Sequence, residues 1–71
     1  MRQTDSQVFG KNVNRLRTTS ALTQEALAEK ADLSRRYLQE IESGAKSPTV
    51  PILAKLRRAL NCSWEELLKG L

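Results

Sequence analysis

Residues 22–44 read LTQEALAEKADLSRRYLQEIESG, and their order of caps, helix formers and breakers decides the fold. Thr23 is a good N-cap type placed before QEALAEK, a run of strong helix formers. Leu27, Ala28 and Ala31 make a narrow apolar face whose small side chains let a neighbouring helix cross closely. Asp32 and Leu33 form a very short connector. Ser34 is the next N-cap, and a second helix runs from Arg35 to about Ser43 with Leu38 and Ile41 inward. Gly44 is suited to the positive φ that ends a helix. The segment is helix, tight turn, helix.

Upstream, Phe9, Val13 and Leu16 fall on one helical stripe, predicting a helix over 6–19 with Asp5 or Ser6 as N-cap. Lys11, Asn12, Arg15 and Arg17 lie off that stripe, so most of them are expected in solvent. Gly10 sits inside this helix at a cost of about 1 kcal/mol relative to Ala, and it permits close approach by another helix. Downstream, Ala45 to Pro48 is a loop, and Thr49 opens a helix over 50–60 with Pro51 in its first turn. Val50, Leu53, Leu56 and Leu60 are its expected buried stripe, and Asn61 suits a left-handed C-terminal position. Ser63-Trp64-Glu65-Glu66 reads as a capping box that starts a last helix over 64–69, ended by Gly70. With the helices at 24–31 and 35–43 this makes five, and no stretch alternates with the period of a strand.

The whole chain has 71 residues, room for one small domain over 1–71. Twelve Lys and Arg against eight Asp and Glu give a net charge of +4, which favours a polyanionic partner only weakly. There is no His, which removes the commonest general base and metal ligand. A single Cys, Cys62, excludes an internal disulfide and a Cys-based zinc site; it fits a reducing, cytoplasmic setting and a small buried apolar role. With no nucleophile–base pair, metal set or glycine-rich phosphate loop, the chain reads as no enzyme, and no cofactor or small-molecule substrate is evident. The Glu65-Glu66 pair is a helix-start feature. MRQTDSQVFG has no apolar run, so no signal peptide is expected, and no apolar stretch of the chain approaches the roughly 20 residues of a membrane span.

Residues 22–44, together with FGKNVNRLR (9–17) and SPTVPILAKLRRALNCSWEELLKG (47–70), resemble the Cro and phage-repressor class of helix-turn-helix proteins, the XRE family. The resemblance covers about residues 7–70. It departs from the family at Asp32, often Gly at that turn, at Asn61, often Gly, and at Trp64, often aliphatic. It implies an all-α, compact, five-helix lambda-repressor-like DNA-binding domain whose second and third helices form the motif. A recognition helix enters the major groove of double-stranded DNA with its N-terminal residues facing base edges. The resemblance puts Arg35, Arg36 and Glu40 in base-facing positions, with Gln39 on the same face. Arg suits guanine, Gln adenine and Glu the cytosine amino group. Two cations at a helix start oppose the helix dipole, so an external anion explains them better than helix stability does.

Phosphate contacts are expected from Gln24 at the start of the second helix, from Lys46 and Ser47 in the loop after Gly44, and from Tyr37, which otherwise touches a thymine methyl. In related repressors the positions of Arg17 and Glu42 form a salt bridge, and that pairing would orient Arg17 near a phosphate. Arg57 and Arg58 are read as a solvated helix face. Ile52, Trp64, Leu68 and Leu71 fall outside the tightest core stripe, and the family often forms a two-fold dimer through its last two helices. The expected function is therefore a sequence-specific regulator, a repressor, bound as a homodimer to a near-palindromic site with recognition helices about 34 Å apart. The alternative is a protein-interaction module such as the antitoxin of a toxin–antitoxin pair.

Overall fold

The computed structural model describes all 71 residues. Five helices follow one another without a strand: α1 (Gln3–Thr19), α2 (Gln24–Lys30), α3 (Arg35–Ser43), α4 (Val50–Leu60) and α5 (Trp64–Leu67). No helix is long and apolar enough to cross a membrane. The helix starts follow local chemistry. Thr23 Oγ1 accepts from the Ala26 N–H at 3.0 Å, and Ser34 Oγ accepts from the Tyr37 N–H at 3.0 Å. At α5 the capping box closes in both directions: Glu66 N–H donates to Ser63 Oγ and Ser63 N–H to the Glu66 carboxylate. Those bonds hold the Glu66 carboxyl below its ordinary pKa, chiefly through the Ser63 backbone N–H.

Helix ends also obey local rules. Gly44 ends α3 at φ 82° and Asn61 ends α4 at φ 51°. Asp32 makes the turn between α2 and α3 at φ 56°, a left-handed conformation that Asp tolerates better than most residues. The chain after α1 turns through Ala21 at φ 58°, where no Gly, Asn or Asp announces it.

Phe9, Val13, Leu27, Leu38, Ile41, Leu56 and Leu67 are fully buried and draw all five helices around one core. Gly10 decides how closely α1 lies on α3. A Cβ there would stand 2.5 Å from the Ile41 carbonyl oxygen and 2.6 Å from that of Glu42, so only Gly fits. This contact places the middle of α1 directly over the end of α3.

Several expectations need correction. α1 begins at Gln3, three residues before the predicted start. Ser6 is not its cap: its N–H already donates within the helix to the Arg2 carbonyl, and its buried hydroxyl lies 2.6 Å from Ser47 Oγ. α2 stops at Lys30 and α5 at Leu67, because Ala31 and Leu68 are capping residues just past each helix. Asn12 is buried, not solvated: its amide donates to the Leu67 and Lys69 carbonyls at 3.0 and 2.8 Å, tying the end of α5 to α1. Val50 is 73% exposed and takes no part in the core, since it occupies the open first turn of α4. Arg57 is not a free solvated charge. Its guanidinium carbon lies 5.2 Å from the centroid of the Trp64 ring, and its Nε is buried without a hydrogen-bond partner. Burial raises the Cys62 thiol pKa, in keeping with an inert apolar role.

Candidate nucleic-acid interface

The third helix has two unlike faces. Leu38 and Ile41 are fully buried and lock it to the core, whereas Arg35, Arg36 and Gln39 are exposed. No acidic residue stands in its first turn and no basic residue in its last. The side chains of Arg35 and Arg36 make neither salt bridge nor hydrogen bond within the chain. Their charge therefore sits at the positive end of the helix dipole with nothing internal to offset it. Glu40 is half-buried, and its carbonyl accepts from the Ala45 N–H at 2.9 Å, which shapes the loop after α3. Tyr37 is half-buried and packs its ring on the core.

Arg17, Thr23, Gln24, Glu25 and Arg35 line a shallow depression between the starts of α2 and α3. Two guanidinium groups, an amide and a hydroxyl beside one carboxylate can receive a phosphate there. Lys46 and Ser47 are exposed in the loop that follows Gly44. The Ser47 hydroxyl is also held from inside, by Ser6 Oγ at 2.6 Å and by donating to the Met1 carbonyl at 3.4 Å.

Arg17 and Glu42 meet. Nε of Arg17 donates to Glu42 Oε2 at 2.8 Å, Nη2 donates to Oε1 at 3.2 Å, and Nη1 donates to the Leu22 carbonyl at 2.8 Å. The pair is largely buried, with side-chain exposures of 13% for Arg17 and 5% for Glu42. Two further amides reach the same carboxylate: Asn14 Nδ2 at 2.9 Å and Gln24 Nε2 at 3.3 Å. α1, α2 and the end of α3 are thus joined at one anion. Asn14 was not singled out from the sequence, although it stands three residues before Arg17 and so on the same side of α1.

At the other end of the molecule, Trp64 is 44% and Leu71 49% exposed, while Ile52 and Leu68 are half-buried against the core. The exposed Val50 adds an apolar residue that the periodicity had assigned inward.

Comparison with known proteins bears on this geometry. Residues 13–67 match the family model described as helix-turn-helix. The chain belongs to that family, in its XRE branch. It is 39% identical over 61 residues to the uncharacterized HTH-type transcriptional regulator y4dJ of Sinorhizobium fredii (strain NBRC 101917 / NGR234), spanning 86% of this chain and 79% of that protein. It is 34% identical over 62 residues to the control protein C.BamHI of Bacillus amyloliquefaciens, spanning 86% of this chain and 76% of that one. Its fold is similar to the crystal structure of the restriction-modification controller protein C.AhdI from Aeromonas hydrophila. The TM-score is 0.87 at 34% sequence identity, over 90% of this chain and 97% of that one. This helix-turn-helix protein is a DNA-binding transcriptional regulator, and its family binds double-stranded DNA without enzymatic activity.

Proposed function

We propose that this regulator is a sequence-specific repressor that binds a near-palindromic DNA site as a homodimer, with α3 in the major groove. Arg35, Arg36, Gln39 and Glu40 read base edges. Gln24, Tyr37, Lys46, Ser47 and Arg17 contact phosphates. One observation carries the reading: α3 exposes two arginines without an internal partner at its N-terminal end, while its opposite face is buried completely. A bidentate Arg–guanine contact discriminates by about 1–3 kcal/mol, and the shallow depression beside it, with two guanidinium groups, one amide and one hydroxyl against one carboxylate, suits the sugar–phosphate backbone. The relatives named as control proteins support a regulatory role of this size and fold.

The homodimer reading rests on the α4–α5 end. Trp64 and Leu68 lie one helical turn apart, and Leu71 follows directly. Trp is frequent among interface hot spots. The proposed interface is Ile52, Trp64, Leu68 and Leu71, which keeps both α3 helices free.

The test is selection from a pool of random duplexes, followed by sequencing of the bound fraction. A motif with two-fold symmetry and half-sites about one turn, or 34 Å, apart is the expected result. Sedimentation at equilibrium should give a dimer that Trp64→Ala dissociates. Failure to enrich any motif would falsify the DNA-reading role of α3, and a monomer at all concentrations would remove the dimer.

A further inference from the structure

The end of α2, the turn through Asp32 and one face of α4 border a hollow of about 360 Å³, lined by Lys30, Ala31, Asp32, Lys55, Arg58 and Ala59. None of the six belongs to the proposed DNA contacts or to the proposed dimer interface. We infer that this hollow is a binding site for a small oxyanion carrying at least two negative charges. The inference stands apart from the base-reading and dimer assignments.

The shape of the hollow comes from small residues. Ala31 caps α2, Ala59 lies in the last turn of α4, and both are buried. Their methyl groups form a floor that longer side chains would fill. Lys55, Arg58 and Ala59 are spaced i, i+3 and i+4, and so share one face of α4. Lys30 reaches the same hollow from the last turn of α2.

Three cations there meet one carboxylate, a net charge of +2. Lys30 and Arg58 suit the negative ends of their helices, but the helix dipole does not explain their convergence with Lys55. The side chains of Lys30 and Arg58 make neither salt bridge nor hydrogen bond within the chain. Lys55 Nζ lies 3.8 Å from Asp32 Oδ2, and the Asp32 side chain is 97% exposed. Exposed pairs of this kind are weak, so an incoming anion displaces Asp32 at little cost. Ammonium and guanidinium groups only donate hydrogen bonds, which suits an ionised oxyanion, and the Arg58 fork can take two of its oxygens at once.

The lining argues against a docked protein segment. It holds no aromatic side chain and no aliphatic one larger than Ala, whereas protein interfaces are anchored by such groups. A small anion needs only the cations and the space between them. Phosphate and carboxylate compounds share that chemistry.

The experiment is a methyl-detected NMR titration of the full chain with pyrophosphate, and with citrate, orthophosphate and acetate for comparison. The Ala31 and Ala59 methyl signals report on this hollow, and the Thr23 methyl on the depression between the starts of α2 and α3. Pyrophosphate should give saturable shifts at the two alanines, orthophosphate weaker binding and acetate none. The ranking of pyrophosphate against citrate separates a phosphate source from a carboxylate source. Lys55→Gln and Arg58→Gln should each weaken pyrophosphate binding by about two- to fivefold, the worth of one exposed charge pair. Asp32→Asn should tighten it by a similar factor, because Asn keeps the left-handed turn and removes the competing carboxylate. An Asp32–Lys55 pair with a structural role alone would alter the thermal midpoint in that variant and leave binding unchanged.

Shifts that never saturate at the two alanines, or that saturate only at Thr23, overturn the inference. So does an Asp32→Asn protein that binds pyrophosphate no better than the wild type. These results leave the regulator reading untouched, since selection from random duplexes tests it separately.

Discussion

The two ends of α3 carry the wrong charges for a helix, and they resolve the problem differently. Arg35 and Arg36 sit at the positive N-terminal end, and Glu42 sits at the negative C-terminal end. Glu42 is answered from within: Arg17 and Asn14 of α1 and Gln24 of α2 donate to its carboxylate, and it is nearly buried. Arg35 and Arg36 have no carboxylate partner and stay in solvent. One unfavourable charge thus became a junction between helices, and the other was left for something outside the chain. Charge placement that weakens a helix is informative about function only when the fold does not offset it.

The largest effect expected is at the internal end. Glu42→Ala leaves the largely buried Arg17 without its carboxylate, and such a loss should lower the unfolding free energy by about 3–5 kcal/mol, read from urea denaturation. A change below about 1 kcal/mol would mean that the junction is ornamental and the two ends are alike. Gly10→Ala attacks the same end from the backbone. A methyl group there would push α1 off the Ile41 and Glu42 carbonyls, and overpacking of that kind should cost about 1–3 kcal/mol. Its thermal midpoint should fall well below that of the wild type, although Ala is the better helix former.

Arg36→Ala should act in the opposite sense at the external end. Affinity for the selected site should drop by about 1–3 kcal/mol with relaxed choice at one base pair, measured by titration across single-base variants. Stability of the free protein should rise by about 0.3–1 kcal/mol, because a charge that opposes the dipole is gone. A fall in stability would show that Arg36 has an internal partner after all.

The smallest effect sits at α5, whose charges run the favourable way. Glu65 and Glu66 occupy its first turn, and Glu66 closes the capping box. The folded-state pKa of Glu66 is lowered from its ordinary value of 4.5. Its contribution to stability is therefore present above pH 4.5 and is lost as the pH falls through the lower, folded value. Trp64 opens this helix, so its fluorescence should change over that acidic window, and Glu66→Gln should shift or flatten the change. An unaltered profile in that variant would remove Glu66 as the cause.

Legibility followed distance along the chain. Thr23, Ser34, Gly44, Asn61 and Ser63 were readable because each makes or permits a hydrogen bond within a few residues of itself. The Ser6 hydroxyl, the Asn12 amide and the Gln24–Gln39 link were not, because their partners lie 41, 55 and 15 residues away in sequence. Val50 misled the periodicity: a residue in the first turn of a helix can share its stripe and still stand clear of the layer that covers it. Arg57 and Trp64 were separately visible as a cation and an exposed aromatic, but only the turn between α4 and α5 puts one over the other.

The order of helices, their caps and the apolar stripes that meet in one core were determined by the amino-acid sequence alone, since cap bonds and helical periodicity act over three or four residues. The exposed pair Arg35 and Arg36 at the start of α3 was also readable there, because charged residues on the face opposite Leu38 and Ile41 stay in solvent. Which polar side chains are buried, and which amides join the Arg17–Glu42 pair, were decided only in three dimensions. A buried polar group must take whatever partner packing sets beside it, and packing is chosen by the whole core at once.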